Sequence, residues 1–218
     1  MRKTIIISML FCASIACKGQ SRYCMTYEDF VKGNWVTVDT FIVTMRTKTE
    51  KFMVGGSDYR AMSKKKDVNK AIKNAFVIAQ GDSMFVNCRH LRYQKTMFGK
   101  GYAKAWKIGT RSVLFVNMLI GKEVQNEQTM AAILFGTIGA ISVTNKNRKN
   151  QVCYVISDGA DEKGKIQIRL VDDELIKQML DEQAPSLMKE YYAESDDMKR
   201  IAAAHVIPIL MKSGLIEF

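Results

Sequence analysis

Apolar residues recur along the chain at two spacings, and the spacing assigns the elements. From Trp35, the run WVTVDTFIVTMRT sets Phe41, Val43 and Met45 against Thr40, Thr44 and Arg46, the period of two of a half-buried strand. Residues 63–75, SKKKDVNKAIKNA, instead place Val68, Ala71 and Ile72 at helical spacing behind three lysines, which predicts one short helix. Three pairs of β-prone runs follow, each divided by turn residues. FVIA at 76–79 and MFVNC at 84–88 flank QGDS; AKAWKI and RSVLFVNML meet at Gly109-Thr110; QVCYVISD at 151–158 and KIQIRLV at 165–171 flank GADEKG. Glycine and aspartate reach the backbone angles that tight connections require, so successive hairpins and a largely antiparallel sheet are expected.

Helical spacing returns at the C-terminus. Asp172 or Asp173 can cap DDELIKQML, and Pro185 suits the first position of a second helix. The stripe of that helix runs through Leu187, Tyr191, Met198, Ala202, His205 and Ile209, with a bend expected at Pro208 and an end at Gly214. On this stripe His205 reads as a core or semi-buried histidine. Between the hairpins lies MAAILFGTIGAISVT at 130–144, which carries no charge. Thr129 can cap it, and Ala132, Gly136 and Ala140 recur every fourth residue as a small-residue seam. Its strictly apolar centre falls short of the about 20 residues that span a bilayer. A helix packed tightly on the sheet is expected, with membrane or oligomer contact as the alternatives. The fold class is therefore α+β: antiparallel hairpins forming a sheet, an inserted apolar small-residue helix, and a helical C-terminus.

The first residues change the picture. MRKTIIISMLFCASIACKGQ has a basic start at Arg2 and Lys3, an uncharged run from Thr4 to Cys17, and small residues near a cut, the layout of a secretory signal peptide. Cleavage after Gly19 assigns residues 1–19 to the leader and 20–218 to one α+β domain. A second route is open: Ser14-Ile15-Ala16-Cys17 resembles a lipoprotein box, in which Cys17 would be acylated and anchor the protein to a membrane surface. The expected location is the periplasm or outer cell envelope, with a lipid anchor as the alternative.

With 47% hydrophobic residues the chain is not generally disordered, and its two prolines leave no Pro-rich linker. Charge is uneven, since residues 20–125 hold 19 basic and 8 acidic residues. That half could meet an anionic envelope surface or glycan, although a solvated face explains the same charge. Export argues against a nucleic-acid partner. Of the five cysteines, Cys24, Cys88 and Cys153 remain after such a cut, an odd number without a CxxC pair. Cys88 and His90 form a C-x-H pair, but the other histidine, His205, is far away in sequence.

No phosphate loop, HExxH or GxSxG occurs. FGKGYA and GGSDY are glycine-rich, and hairpin turns account for them better than phosphate binding does. RHLRYQKTMFGKGYAKAWK interleaves basic residues with Tyr93, Phe98, Tyr102 and Trp106. That pattern suits glycan or anionic polymer through stacking and charge, or aromatics alternating into a sheet core. No catalytic, cofactor-binding or metal-binding residue is assigned; Cys17 is the one candidate modification site.

CMTYEDFVKGNW at 24–35, GGSDY at 55–59, DSMFVNCRHLRYQK at 82–95, FGKGYAKA at 98–105, FGTIGA at 135–140 and QVCYVISDGADEKGKIQIRLVDD at 151–173 together carry a likeness. Through them the chain resembles an uncharacterised family of exported proteins from anaerobic gut bacteria, classed as a domain of unknown function. The resemblance implies export and one family unit, and supplies no activity, ligand or site residue. The expectation is an exported envelope protein acting as a non-enzymatic binding or structural module. The alternatives are an envelope-acting hydrolase with His90 in a pocket, and a membrane-associating or self-assembling protein using residues 130–144.

Overall fold

The computed structural model describes residues 20–47, 49–51, 56–120, 151–160, 166–180 and 184–217. The leader, Cys17 and the stretch 130–144 lie outside the described residues. The α+β class holds: an antiparallel sheet of ten strands among the described residues carries helices on its faces.

The chain enters as β1 (Ser21–Cys24) and turns into α1 (Tyr27–Lys32). Here Thr26 and Asp29 form a reciprocal capping box and Gly33 ends the helix at φ 72°. Next come β2 (Val36–Val38), β3 (Ile42–Met45), β4 (Tyr59–Met62) and α2 (Lys66–Asn74). The predicted hairpins then appear as β5 (Val77–Gln80) with β6 (Ser83–Asn87) and, after a 3-10 turn at Cys88–His90, β7 (Arg92–Tyr93) with β8 (Thr96–Met97) as a small ribbon. The long strands are β9 (Tyr102–Ile108), β10 (Ser112–Met118), β11 (Gln151–Ala160) and β12 (Ile166–Leu170). Four helices close the chain: α3 (Asp173–Leu180), α4 (Pro185–Tyr191), α5 (Asp197–Arg200) and α6 (Ala203–Lys212).

Across the sheet the order is β12-β11-β10-β9-β6-β5-β1-β2, with β4 joined to β9 through Tyr59 and Tyr102 and β3 beside β4. Alternation along the strands sorts side chains to two faces. One face gathers Ala103, Ala105, Val113, Phe115, Tyr154 and Ile156 with Tyr27, Phe30 and Phe76. The other carries Trp106, Leu114, Val116, Cys153 and Val155 under Leu175, Ile176, Tyr191, Val206 and Leu210 of the C-terminal helices. Farther along, Ile78, Phe85 and Tyr102 lie under Val68 and Ile72 of α2. Each fully buried aliphatic or aromatic side chain contributes about 1.5–3 kcal/mol.

Two expectations are corrected. The single strand expected across 35–47 is two strands with different partners: Val36–Val38 pairs with β1, and Ile42–Met45 pairs with β4. Chain direction changes at Asp39–Phe41, where Phe41 is fully buried and its carbonyl accepts from Gln80 Nε2 at 2.7 Å. Met45, expected inward, is 64% exposed. The long C-terminal helix is likewise three. Asp196 accepts from the backbone of Met198 and Lys199 and starts α5 afresh, while Ala202 adopts an extended conformation that bridges to Val152 of β11. Long-range pairing to the sheet thus overrides a continuous helical stripe, and Met198 ends up 45% exposed.

Candidate ligand-binding groove

The site starts from the alternation in Tyr102-Ala103-Lys104-Ala105-Trp106. The small alanines go to one face, so Lys104 shares the other with two aromatics. That face is covered at one end by the C-terminal helices and at the other by α2, and Lys104 stands between the two covers. Its cross-strand partner is Phe85. The ammonium lies 5.4 Å from the Phe85 ring centre and 5.8 Å from that of Trp106, and it donates to Ser83 Oγ at 2.9 Å. None of the ion pairs among the described residues includes Lys104. Burial holds its pKa below the usual 10.5.

Tyr59, Lys104, Trp106, Val116 and Gln151 form one side of a groove of about 470 Å³, with Ala202–Ala204, Ile207 and Pro208 opposite. Three alanines at the start of α6 keep this wall low. Ala202 occupies the N-cap position but has no side chain that could accept from the first helical N–H groups. Those groups lie at the positive end of the helix dipole, worth roughly half a unit charge. Trp106 is 8% exposed, and its indole Nε1 has no hydrogen-bond partner among the described residues. An ammonium and a helix start without a side-chain cap therefore border the same groove, while the Trp106 indole N–H is buried within its wall.

A buried polar cluster lies near the groove, on the sheet face that carries Phe115. Asn117 Nδ2 donates to Ser57 Oγ at 2.9 Å and lies 3.5 Å from Cys88 Sγ, with all three residues buried. The next residue, Asp58, pairs with Lys51 and accepts from Gln151 Nε2, which holds Gln151 at the groove. The two glycine-rich motifs prove to be one junction. Ser57 N donates to Lys100 O at 2.9 Å, and a Cβ on Gly56 (φ 88°) would sit 2.0 Å from that same oxygen. These glycines serve backbone-to-backbone packing, and Arg46 Nη1 donates to the carbonyls of Ser57 and Lys100 beside it.

Other sequence candidates disperse. Phe98, Tyr102 and Trp106 of the aromatic-basic stretch are buried, and Tyr93 packs on Tyr154. His90 is exposed and borders a separate cavity of about 230 Å³ with Glu28, Asn74 and Asn87. Cys88, two residues away, is fully buried, so the C-x-H pair does not converge. His205 is half-buried, with Nε2 3.0 Å from the carbonyl of Tyr191. Burial pushes the thiols of Cys24 and Cys88 up to about 12 and raises that of Cys153 as well, which leaves them protonated and unreactive at neutral pH. Among the described residues no group of three metal-ligating side chains converges, and no helix is long and apolar enough to cross a membrane. No sequence motif marks the groove. Its one local signal was a lysine at an inward position between two inward aromatics.

The family model described as "Family of unknown function (DUF6563)" matches residues 22–217. No curated protein and no solved structure matches the chain.

Proposed function

We propose that this chain, which belongs to the family of unknown function DUF6563, is an exported cell-envelope protein that works as a non-catalytic binding module for an anionic ligand. Export rests on the leader: Arg2 and Lys3, the uncharged run to Cys17, and the small residues before Gln20. Binding rests on one observation above all, the half-buried ammonium of Lys104 in a groove without a carboxylate partner among the described residues. A charge removed from water is ordinarily paired, so a cation that faces a groove with a hydroxyl and two aromatic rings beside it, and no carboxylate, has room for an anion.

The test uses protein released from the cell envelope. Calorimetric titration against a sulphated polysaccharide, anionic vesicles and small organic acids, each at two salt concentrations, should find a ligand whose binding weakens with salt. Lys104→Met should weaken it at least about tenfold, a loss of about 1.4 kcal/mol. The equally cationic Lys107→Met, on the opposite face, should not. No binding by any anion, or equal loss in both variants, overturns the reading. Recovery of an intact Met1 on cytosolic protein overturns the export half.

A further inference from the structure

We infer that the groove takes a single amphipathic carboxylate, an organic acid whose carboxyl group meets Lys104 and whose apolar body lies along α6. This rests on the anion-binding reading above and narrows it. Of the described residues bordering the groove, only Lys104 carries a full charge, whereas a polyanion would need several cations in a row. The remaining donors suit a planar two-oxygen head. The first N–H groups of α6, at the positive end of the helix dipole, have no side-chain cap. One carboxylate oxygen can accept from the ammonium while the second accepts from a helix N–H.

The walls explain the body. Trp106, Val116, Ala203, Ile207 and Pro208 are apolar, and a site with one polar end and apolar sides selects ligands of the same asymmetry. At ~30 Å³ per water, about 470 Å³ holds about fifteen water molecules, far more room than an inorganic ion requires. Lys104 also borders a second cavity of about 290 Å³ with Arg22, Asp82, Lys107 and Glu217. Neither of those carboxylates pairs with it. The groove beside α6 is the one that adds the helix start to the lysine.

Decanoate below its micellar concentration, decanol, inorganic phosphate and the sulphated polysaccharide are titrated calorimetrically into the full protein. Decanoate should bind one molecule per chain, at least about tenfold more tightly than decanol or phosphate. Lys104→Met should abolish the preference for decanoate over decanol. Ala204→Phe places bulk at an exposed position on the groove wall, retains the charge, and should weaken decanoate at least about tenfold with the melting curve kept. If the polysaccharide binds through Lys104 and decanoate does not, this inference falls and the anion-binding function stands. If no anion binds, both fall. Decanoate uptake without saturation, or unchanged by both substitutions, also overturns it.

Discussion

Replacing Asn117 tests whether a buried polar cluster acts as one structural unit of the fold. Asn117 is 4% exposed on β10; its Nδ2 donates to Ser57 Oγ at 2.9 Å and its Oδ1 accepts from Met118 N at 2.8 Å. Asn117→Ala removes both bonds and leaves partners that water reaches poorly. Each orphaned buried group costs about 1–3 kcal/mol, so the expected loss is about 3 kcal/mol. That is a large part of the roughly 5–15 kcal/mol that domains possess. Ser57→Ala should cost less, about 1–2 kcal/mol, because Asn117 retains its bond from Met118 N. If the two residues act as one unit, the double variant should lose about 1 kcal/mol less than the sum. Urea unfolding followed by far-UV circular dichroism, with the slope unchanged across variants, reads all four values. A loss below ~1 kcal/mol for Asn117→Ala, or single losses that add to within ~0.3 kcal/mol, would refute the cluster as a structural unit.

Two further outcomes follow from the same geometry. Gly33 and Gly56 both adopt positive φ, yet a Cβ meets nothing within 4 Å at Gly33 and meets Lys100 O at 2.0 Å at Gly56. Gly33→Ala should therefore cost about 1 kcal/mol and Gly56→Ala about 3 kcal/mol or more in thermal unfolding, and equal costs would contradict the close approach. The Arg200 guanidinium, bonding Asp173 through Nε and Nη2, holds that carboxyl below its ordinary 3.8, with Tyr191 assisting against burial. A depressed carboxylate stabilises the fold above its unfolded pKa and loses that contribution as pH falls from 3.8 toward the folded value. Asp173→Asn should flatten this part of the stability-pH curve, and curves of identical slope would contradict the pairing.

The residues show why some features were readable in advance. The hairpins β5-β6, β9-β10 and β11-β12 follow from alternation and from Gly81 and Gly109 at the turns, all decided within a few neighbours. The helix around Val68 and Ile72 was equally local. The capping box of α1 was also present, as Thr26 and Asp29 three residues apart, but its helix is short enough that no periodic stripe announced it. β1 and β4 carry no legible sequence pattern, because each is four residues long and stabilised chiefly by its sheet partners.

The amino-acid order by itself determined the α+β class, the three hairpins, and the sorting of Lys104 to the same side as Tyr102 and Trp106. Those outcomes depend on backbone periods of two and 3.6 residues, which a short window of sequence contains. Tertiary structure alone decided that residues 36–38 and 42–45 part company, that the last helical stripe breaks at Asp196 and Ala202, and that the start of α6 meets β9 across a groove. Each of these is a choice among distant partners. A donor left without an acceptor, such as the Trp106 indole, can be recognised only once every other chain segment has taken its place.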